Sequence, residues 1–351
     1  MIGSSPARPP AMSDVAALAG VSHQTVSRVL NDHPSVRPET RERVNEAIVR
    51  LGYRRNSAAR ALVTRRTGAL GVVTPATALY GPTSTLVGLE EAARLVGWFV
   101  SVATIRTFDG ETMHGAVEHF LSQGVDGIAV IAPTTEVALA IATIALPVPV
   151  VLISSASDLP ADGYLHAVGV DQRHGARLAT QHLLDQGHPA VVHVAGPQDW
   201  FDAQDRLAGW REVCGPDAPE PLEAGWAAAD GYELGRRMIR EGLPSAIFAA
   251  NDQLALGLLH AFWEHGVRVP DDVAVVGFDD EVGAAHYTPP LTTVRQDYGA
   301  LGRVAVASLQ AAFAGEPIMH RRIPAELVVR ASSVRQARVV GIPKERMIAL
   351  T

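Results

Sequence analysis

The chain has 351 residues, 47 % of them hydrophobic and 19 % charged, a balance that argues against wholesale disorder and fibrous architecture. No run approaches about 18 uninterrupted apolar residues and the start, MIGSSPARPPAM, lacks a signal-peptide core, so a cytoplasmic protein with no membrane contact is expected. The formal charge of −7 argues against a general nucleic-acid binder, yet residues 1–66 hold eleven arginines against five carboxylates, a local +6 that leaves −13 for the remainder. A basic head on an acidic body fits one small domain that meets nucleic acid and a larger one with another task.

Residues 1–11 have no periodicity and are expected to be a disordered lead-in. A helix is predicted from Ser13 as N-cap, with Val15, Leu18 and Ala19 on one face and Gly20 as stop. Ser22 caps a second, lined by Val26, Val29 and Leu30 and ended by Asn31–Pro34, and a third runs from Pro38 through Val44, Ile48 and Leu51 to Gly52. After Tyr53, Asn56–Leu62 has a cap and good helix formers but only two turns, which is marginal in water by itself.

From Gly68 apolar runs alternate with amphipathic stretches. Strands are predicted at Ala69–Thr74, Phe99–Ala103, Gly127–Ile131, Val148–Ile153, Ala167–Val170, Ala190–Val194, Ala246–Ala249 and Val273–Gly277, with helical patterns near 83–96, 111–123, 134–145, 173–187, 202–213, 230–242 and 251–266. Repeated βα units specify doubly wound parallel sheets covered on both faces, and this many units implies two sheets. The class is therefore α/β behind a small helical head.

The stretch Asp14–Asn31 is a helix, a Gly-containing tight turn and a second helix, the geometry that places the second helix in the major groove. His23, Gln24 and Arg28 are its long polar residues; Gln can pair bidentately with adenine and Arg with guanine. Thr25, Ser27 and Asn31 suit phosphates. A merely solvated helical hairpin is the alternative.

This segment, with Gly52-Tyr53 and Asn56–Leu62, resembles the head of the LacI family of bacterial transcription regulators. The likeness continues through Gly196-Pro197, Arg206–Trp210, Ala250–Asp252, Gly277–Asp280 and Pro289–Val294, and Ala69–Leu89 is most like the lac repressor branch. The resemblance implies a helix-turn-helix domain over 12–54, a hinge helix and linker over 55–66, a periplasmic-binding-protein-like core of two subdomains over 67–338 and a C-terminal tail over 339–351. It adds Tyr53, Asn56, Ala59 and Leu62 to the DNA-contacting set, Leu62 as a minor-groove wedge that bends the duplex. One departure is Arg55, where the family usually has Pro before the hinge Asn.

Ligands of doubly wound sheets bind outside the carboxyl ends of strands, which singles out Asn251, Asp279, Asp158 and Arg206. The resemblance groups them as an effector set, with Trp226 stacking on a ring and Leu79 and Tyr298 lining its apolar side. Planar forks, carboxylates and an indole suit a pyranose. No catalytic set competes: in Asp279-Asp280 one carboxylate is read as ligand and the other as structural, the thirteen histidines have no metal spacing, Cys214 is alone, and neither P-loop nor dinucleotide fingerprint is present. A cofactor-free, non-enzymatic homodimer is expected, a repressor released from a pseudo-palindromic operator by a galactoside-like sugar. The alternatives are an activator or corepressor-dependent regulator, a sugar-binding protein that binds no operator, and an architectural DNA binder.

Overall fold

The chain separates into two units at Thr67. The structure, a computed structural model, describes residues 8, 10–53, 66–107, 109–142, 144, 146–155, 165–316 and 320–334. The hinge positions Asn56, Ala59 and Leu62, and Asp158, therefore lie outside the described residues.

In the first unit, α1 (Met12–Ala19), α2 (His23–Leu30) and α3 (Pro38–Leu51) enclose Val15, Ala16, Ala19, Val26, Val29, Val44, Ala47 and Tyr53. Gly20 and Gly52 end α1 and α3 in the left-handed region, φ 64° and 61°, where a side chain would be strained. The α1 cap is Ala11 rather than Ser13, because Asp14 reaches back to accept the Ala11 N–H at 2.7 Å. Ala16 takes the buried place expected for Leu18, which is 42 % exposed. Ser22 caps α2 as predicted, its Oγ accepting from Thr25 N–H at 3.1 Å.

The second unit consists of two α/β lobes. The first-lobe sheet runs β11–β5–β4–β3–β1–β2, all parallel, from β1 (Ala69–Pro75), β2 (Phe99–Ile105), β3 (Gly127–Ile131), β4 (Val150–Ile153), β5 (Leu165–Val170) and β11 (His320–Ile323). The second runs β12–β10–β9–β8–β6–β7, from β6 (Val192–Ala195), β7 (Leu222–Glu223), β8 (Ala246–Ala249), β9 (Ala274–Asp279), β10 (Thr292–Arg295) and the antiparallel edge β12 (Glu326–Val328). Strand β1 is buried along its whole length, as both-face coverage requires.

The covering helices are α4 (Tyr80–Leu95), α5 (Gly110–Ser122), α6 (Thr135–Ala142), α7 (Gln172–Asp185), α8 (Phe201–Cys214), α9 (Ala228–Glu241), α10 (Asp252–Glu264) and α11 (Tyr298–Phe313). Three passages join the lobes: after β5, after β10 and after β11. One apolar cluster runs through both, from Leu70, Leu89 and Val168 to Trp210, Phe248 and Phe278.

Two contacts set helix positions against the cleft. A Cβ on Gly88 would lie 2.3 Å from Tyr298 O, and one on Gly302 would lie 2.1 Å from Gly88 O, so α4 and α11 touch backbone to backbone. Gly302→Ala should force them apart and destabilise the protein by about 1–3 kcal/mol, seen as a lower thermal midpoint; an unchanged midpoint would show that the helices separate freely.

Candidate functional site

On the head, His23, Gln24 and Arg28 are exposed while Val26 and Val29 are buried, so α2 offers one polar face outward and anchors the other. Asn31 is tied into its own helix end, its Nδ2 donating to Ser27 O at 2.9 Å. Thr25 is engaged at the N-terminus, with Ser22 Oγ 2.9 Å from its hydroxyl. Tyr53 departs from its expected DNA-facing place: it is 8 % exposed, because its ring completes the core between the helices. Arg41 fastens the turn before α3, donating to Asp32 Oδ1 at 2.7 Å and to His33 O at 3.1 Å.

In the core a cavity of about 490 Å³ lies between the lobes, walled by the carboxyl ends of strands of both sheets. Leu79 and Tyr80 come from the turn after β1, Arg206 from α8, Trp226 from the segment after β7, Asn251 from the turn after β8 and Asp279 from the end of β9. The cavity thus brings together Arg206, Asn251 and Asp279, which strand-end position singled out, with Leu79 and Trp226, which the resemblance added.

Arg206 is 3 % exposed. Its Nε donates to Gln172 Oε1 at 3.0 Å and its Nη1 to Ala250 O, while Nη2 lies 3.4 Å from Asp279 Oδ1 and 3.8 Å from Asp202 Oδ2. Its guanidinium carbon sits 3.8 Å from the Phe278 ring centroid, a cation–π contact. The long Nη2 contacts leave that edge as the donor for a ligand. Asn251 is equally engaged: its Oδ1 caps α10 by accepting from Leu254 N–H at 2.8 Å, and its Nδ2 donates to Trp226 O at 3.1 Å. It thereby seats the indole.

Asp279 accepts from Gln296 Nε2 at 2.6 Å with its backbone at φ 117°, a strained value for a residue with a side chain. Burial pushes its carboxyl up to about 7, against the pull of Arg206. Burial also raises Asp252, aided by the charge of Asp279, and Glu281, which Gln253 opposes with a 2.6 Å hydrogen bond. Asp280 is structural, as its pairing with Asp279 suggested: Arg295 and Arg330 bind its two oxygens at 2.7 and 2.6 Å.

Tyr298 does not line the large cavity. Its ring turns into a smaller one behind, edge-on to Tyr80 with centroids 5.9 Å apart, and burial raises its phenol well above the usual range. Sequence reasoning missed Tyr80, Trp200, Asp202, Gln253 and Glu281 in the cavity wall. All but Asp202 lie within five residues of a strand's carboxyl end, a signal that applied more broadly would have marked their positions. Trp200 depends on the tertiary fold: it bridges to Thr134 of the first lobe and meets Trp226 edge-on at 5.5 Å. Among the described residues no helix is long and apolar enough to cross a membrane, and no cluster of side chains suits a metal ion.

Because Asp279 holds a proton in the fold at pH values where the unfolded chain has lost it, its contribution to stability rises as pH falls from about 7 toward 4. Asp279→Asn should remove that segment: the mutant's melting temperature relative to wild type should be highest at pH 8 and fall as pH drops to 5. A pH-independent difference would mean that Asp279 titrates normally.

Comparison with known proteins agrees with this geometry. Residues 11–56 match the family described as bacterial regulatory proteins, lacI family, and residues 180–333 match the periplasmic binding protein-like domain. The chain is 33 % identical over 333 residues to the lactose operon repressor of Escherichia coli (strain K12), covering 93 % of this chain and 91 % of that one. It is 36 % identical over 341 residues to the HTH-type transcriptional regulator CelR of Thermobifida fusca, covering 93 % and 98 %. The crystal structure of the lac repressor dimer bound to operator and the anti-inducer ONPF superposes with a TM-score of 0.77 at 33 % identity, over 93 % of this chain and 100 % of that one. A CelR–cellobiose complex does so with 0.67 at 31 % identity, over 92 % and 99 %. With an outward-facing second helix on its head and a polar cleft between two doubly wound lobes, the chain belongs to the LacI family of bacterial regulatory proteins.

Proposed function

We propose that the chain is a repressor that binds a pseudo-palindromic operator as a homodimer in the cytoplasm and releases it when a neutral pyranoside, galactoside-like in its hydroxyl pattern, enters the interlobe cleft. The observation that carries this reading is the cleft's composition. One guanidinium whose Nη2 makes only long contacts to carboxylates, the buried carboxyl of Asp279 and a corner of two indoles surround about 490 Å³. An indole covers the C–H face of a sugar, while guanidinium and carboxylate meet its hydroxyl rim. Asp202, Asp279 and Glu281 against a single Arg206 disfavour phosphorylated or acidic ligands. The relatives' names, a lactose operon repressor and a regulator solved with cellobiose, support a glycoside.

The chain's role is regulation, not catalysis, and it needs no cofactor. The dimer reading draws on the lac repressor dimer and on exposed apolar side chains, Leu95 and Phe99 of the first lobe and Trp263 and Val282 of the second. The domain limits inferred from sequence, including a hinge over 55–66 that carries Asn56, Ala59 and Leu62, and a ligand contact from Asp158, remain part of this proposal. If the sugar binds the DNA-free state about 100-fold more tightly than the DNA-bound one, the coupling is roughly 2.7 kcal/mol, within the usual allosteric range.

Arg28→Ala should cost about 1–3 kcal/mol of specific DNA binding and relax preference at one guanine per half-site; equal loss on all sequences would reduce Arg28 to a phosphate contact. Arg206→Ala is a poor probe of the cleft, because it would leave Gln172, Ala250 O and Asp279 without their buried partner. Arg206→Lys keeps the charge and loses the fork. It should bind DNA from the gene's upstream region as wild type does but need at least about tenfold more sugar for release. Titration of galactosides, glucosides and purines against that complex decides the reading: release by a purine alone would overturn it, and tightened binding with a sugar would reverse it to corepression.

A further inference from the structure

The passage after β5 and the one after β11 are stitched together by Asp171 N–H, which donates to Ile323 O at 2.8 Å. Away from this backbone seam, polar contacts from lobe to lobe are made at the start of α8, the helix that carries Arg206. Its first residue, Phe201, donates its N–H to Pro133 O at 2.9 Å, and Trp200 just before it bridges to Thr134. One turn further along, Asp205 meets Arg322 from β11, whose Nη1 donates to Asp205 Oδ2 at 3.3 Å. This ion pair joins the second lobe's helix to the first lobe's edge strand.

The pairing is specific. Burial pushes the Asp205 carboxyl up, and Arg322 opposes that push more than any other charge. Arg173, the other cation that acts on Asp205, is held by Glu212, which also takes Arg177 at 3.1 Å. The second nitrogen of Arg322, Nη2, donates to Ser155 O at 2.6 Å, just past the carboxyl end of β4. One guanidinium therefore fastens α8 to two strands of the first lobe. Asp205 adjoins Arg206, the cavity's cation, while Leu79 and Tyr80 line the same cavity from the first lobe. The separation of these two walls is thus restrained where Asp205 meets Arg322. With side chains 36 % and 18 % exposed, the pair is open enough to water to be weak and sensitive to salt, which suits a contact that is made and broken.

We propose that Arg322 and Asp205 form an interlobe latch that positions α8 for ligand binding: the pair holds the Arg206 wall of the cleft against the first lobe, and parting of the pair opens the cleft and frees the ligand. Neither residue lines the large cavity, so both act through α8 rather than by touching a ligand. The latch makes the binding of an uncharged molecule depend on salt, since the charges that are screened belong to the protein. Where the ligand is a sugar, this rests on the pyranoside reading of the cleft.

Two measurements on the full chain test the latch. Without ligand, Trp200 reports on the meeting of the lobes, and its share of acrylamide quenching is the difference between a protein and its Trp200→Phe derivative. Asp205→Asn and Arg322→Gln should each raise that share, and Arg322→Lys, which keeps the charge, should not. With ligand, calorimetry using methyl β-D-galactopyranoside and methyl β-D-glucopyranoside should show affinity about two- to fivefold weaker in Asp205→Asn, the range open to a partly exposed ion pair. Raising NaCl from about 0.05 to about 0.5 M should weaken wild-type binding by a similar factor and leave Asp205→Asn nearly unchanged, because buried charges are screened far less. Quenching that is the same in wild type, Asp205→Asn and Arg322→Gln overturns the latch, as does equal sugar affinity in wild type and Asp205→Asn, or a salt effect that persists in Asp205→Asn. Absence of heat from both sugars counts against the pyranoside reading alone, and the quenching then decides the latch.

Discussion

A guanidinium withdrawn from water must have its charge and its donors met inside the protein, and Arg206 does so by drawing on three neighbouring elements at once. Gln172 at the head of α7, the Ala250 carbonyl at the end of β8 and Asp279 at the end of β9 all bind it, with Phe278 stacked beneath. The cleft's polar floor is therefore assembled by the protein's own needs before any ligand arrives. Gln172 passes the constraint on to Gln296, which returns it to Asp279, and the closed circuit fixes four side chains from four parts of the sequence. Preorganisation of this kind lowers the ordering cost of binding.

Apolar packing provides the complementary restraint. The meeting of Gly88 and Gly302 brings α4 against α11, which sets Tyr298 behind the turn that carries Leu79 and Tyr80. The bridge between Thr134 and Trp200 holds the indole corner to the first lobe, supported by Phe201 N–H donating to Pro133 O at 2.9 Å. The cleft thus has one wall fixed by charge and one by close contact.

Much of this was legible in the chain because periodicity and strand-end position are local signals. Gly127–Ile131 and Ala246–Ala249 appear with the limits read from sequence, and Arg206, Asn251 and Asp279 converge as their places after strands implied. The short strands β7, β11 and β12 were not legible: Leu222–Glu223 is two residues long, and His320–Ile323 carries His and two Arg on a sheet edge, where water replaces the hydrophobic pattern. Burial that depends on a third element was equally hidden. Tyr53 reads as a polar-tipped residue after a helix until the core of the head claims its ring, and Trp200 reads as a loop aromatic until Thr134 arrives from the other lobe. Roles within the site were the least visible, since the sequence shows that Asn251 is polar but not that both ends of its amide are already committed to α10 and Trp226.

The order of the strands also bears on how the protein is made. The first lobe's edge, β11, pairs His320 with Ala167, and the second lobe's edge, β12, pairs Val328 with Thr293, so each sheet receives an edge strand only from the last part of the chain. On a ribosome, β1 to β5 emerge long before β11, and until it arrives β5 presents an unpaired edge to its surroundings. Such late, non-local pairings are slow steps in folding. A chain that stops short of residue 320 therefore has every cleft residue identified above except the last strand of either sheet, and it carries two open edges where the finished protein has none at those positions.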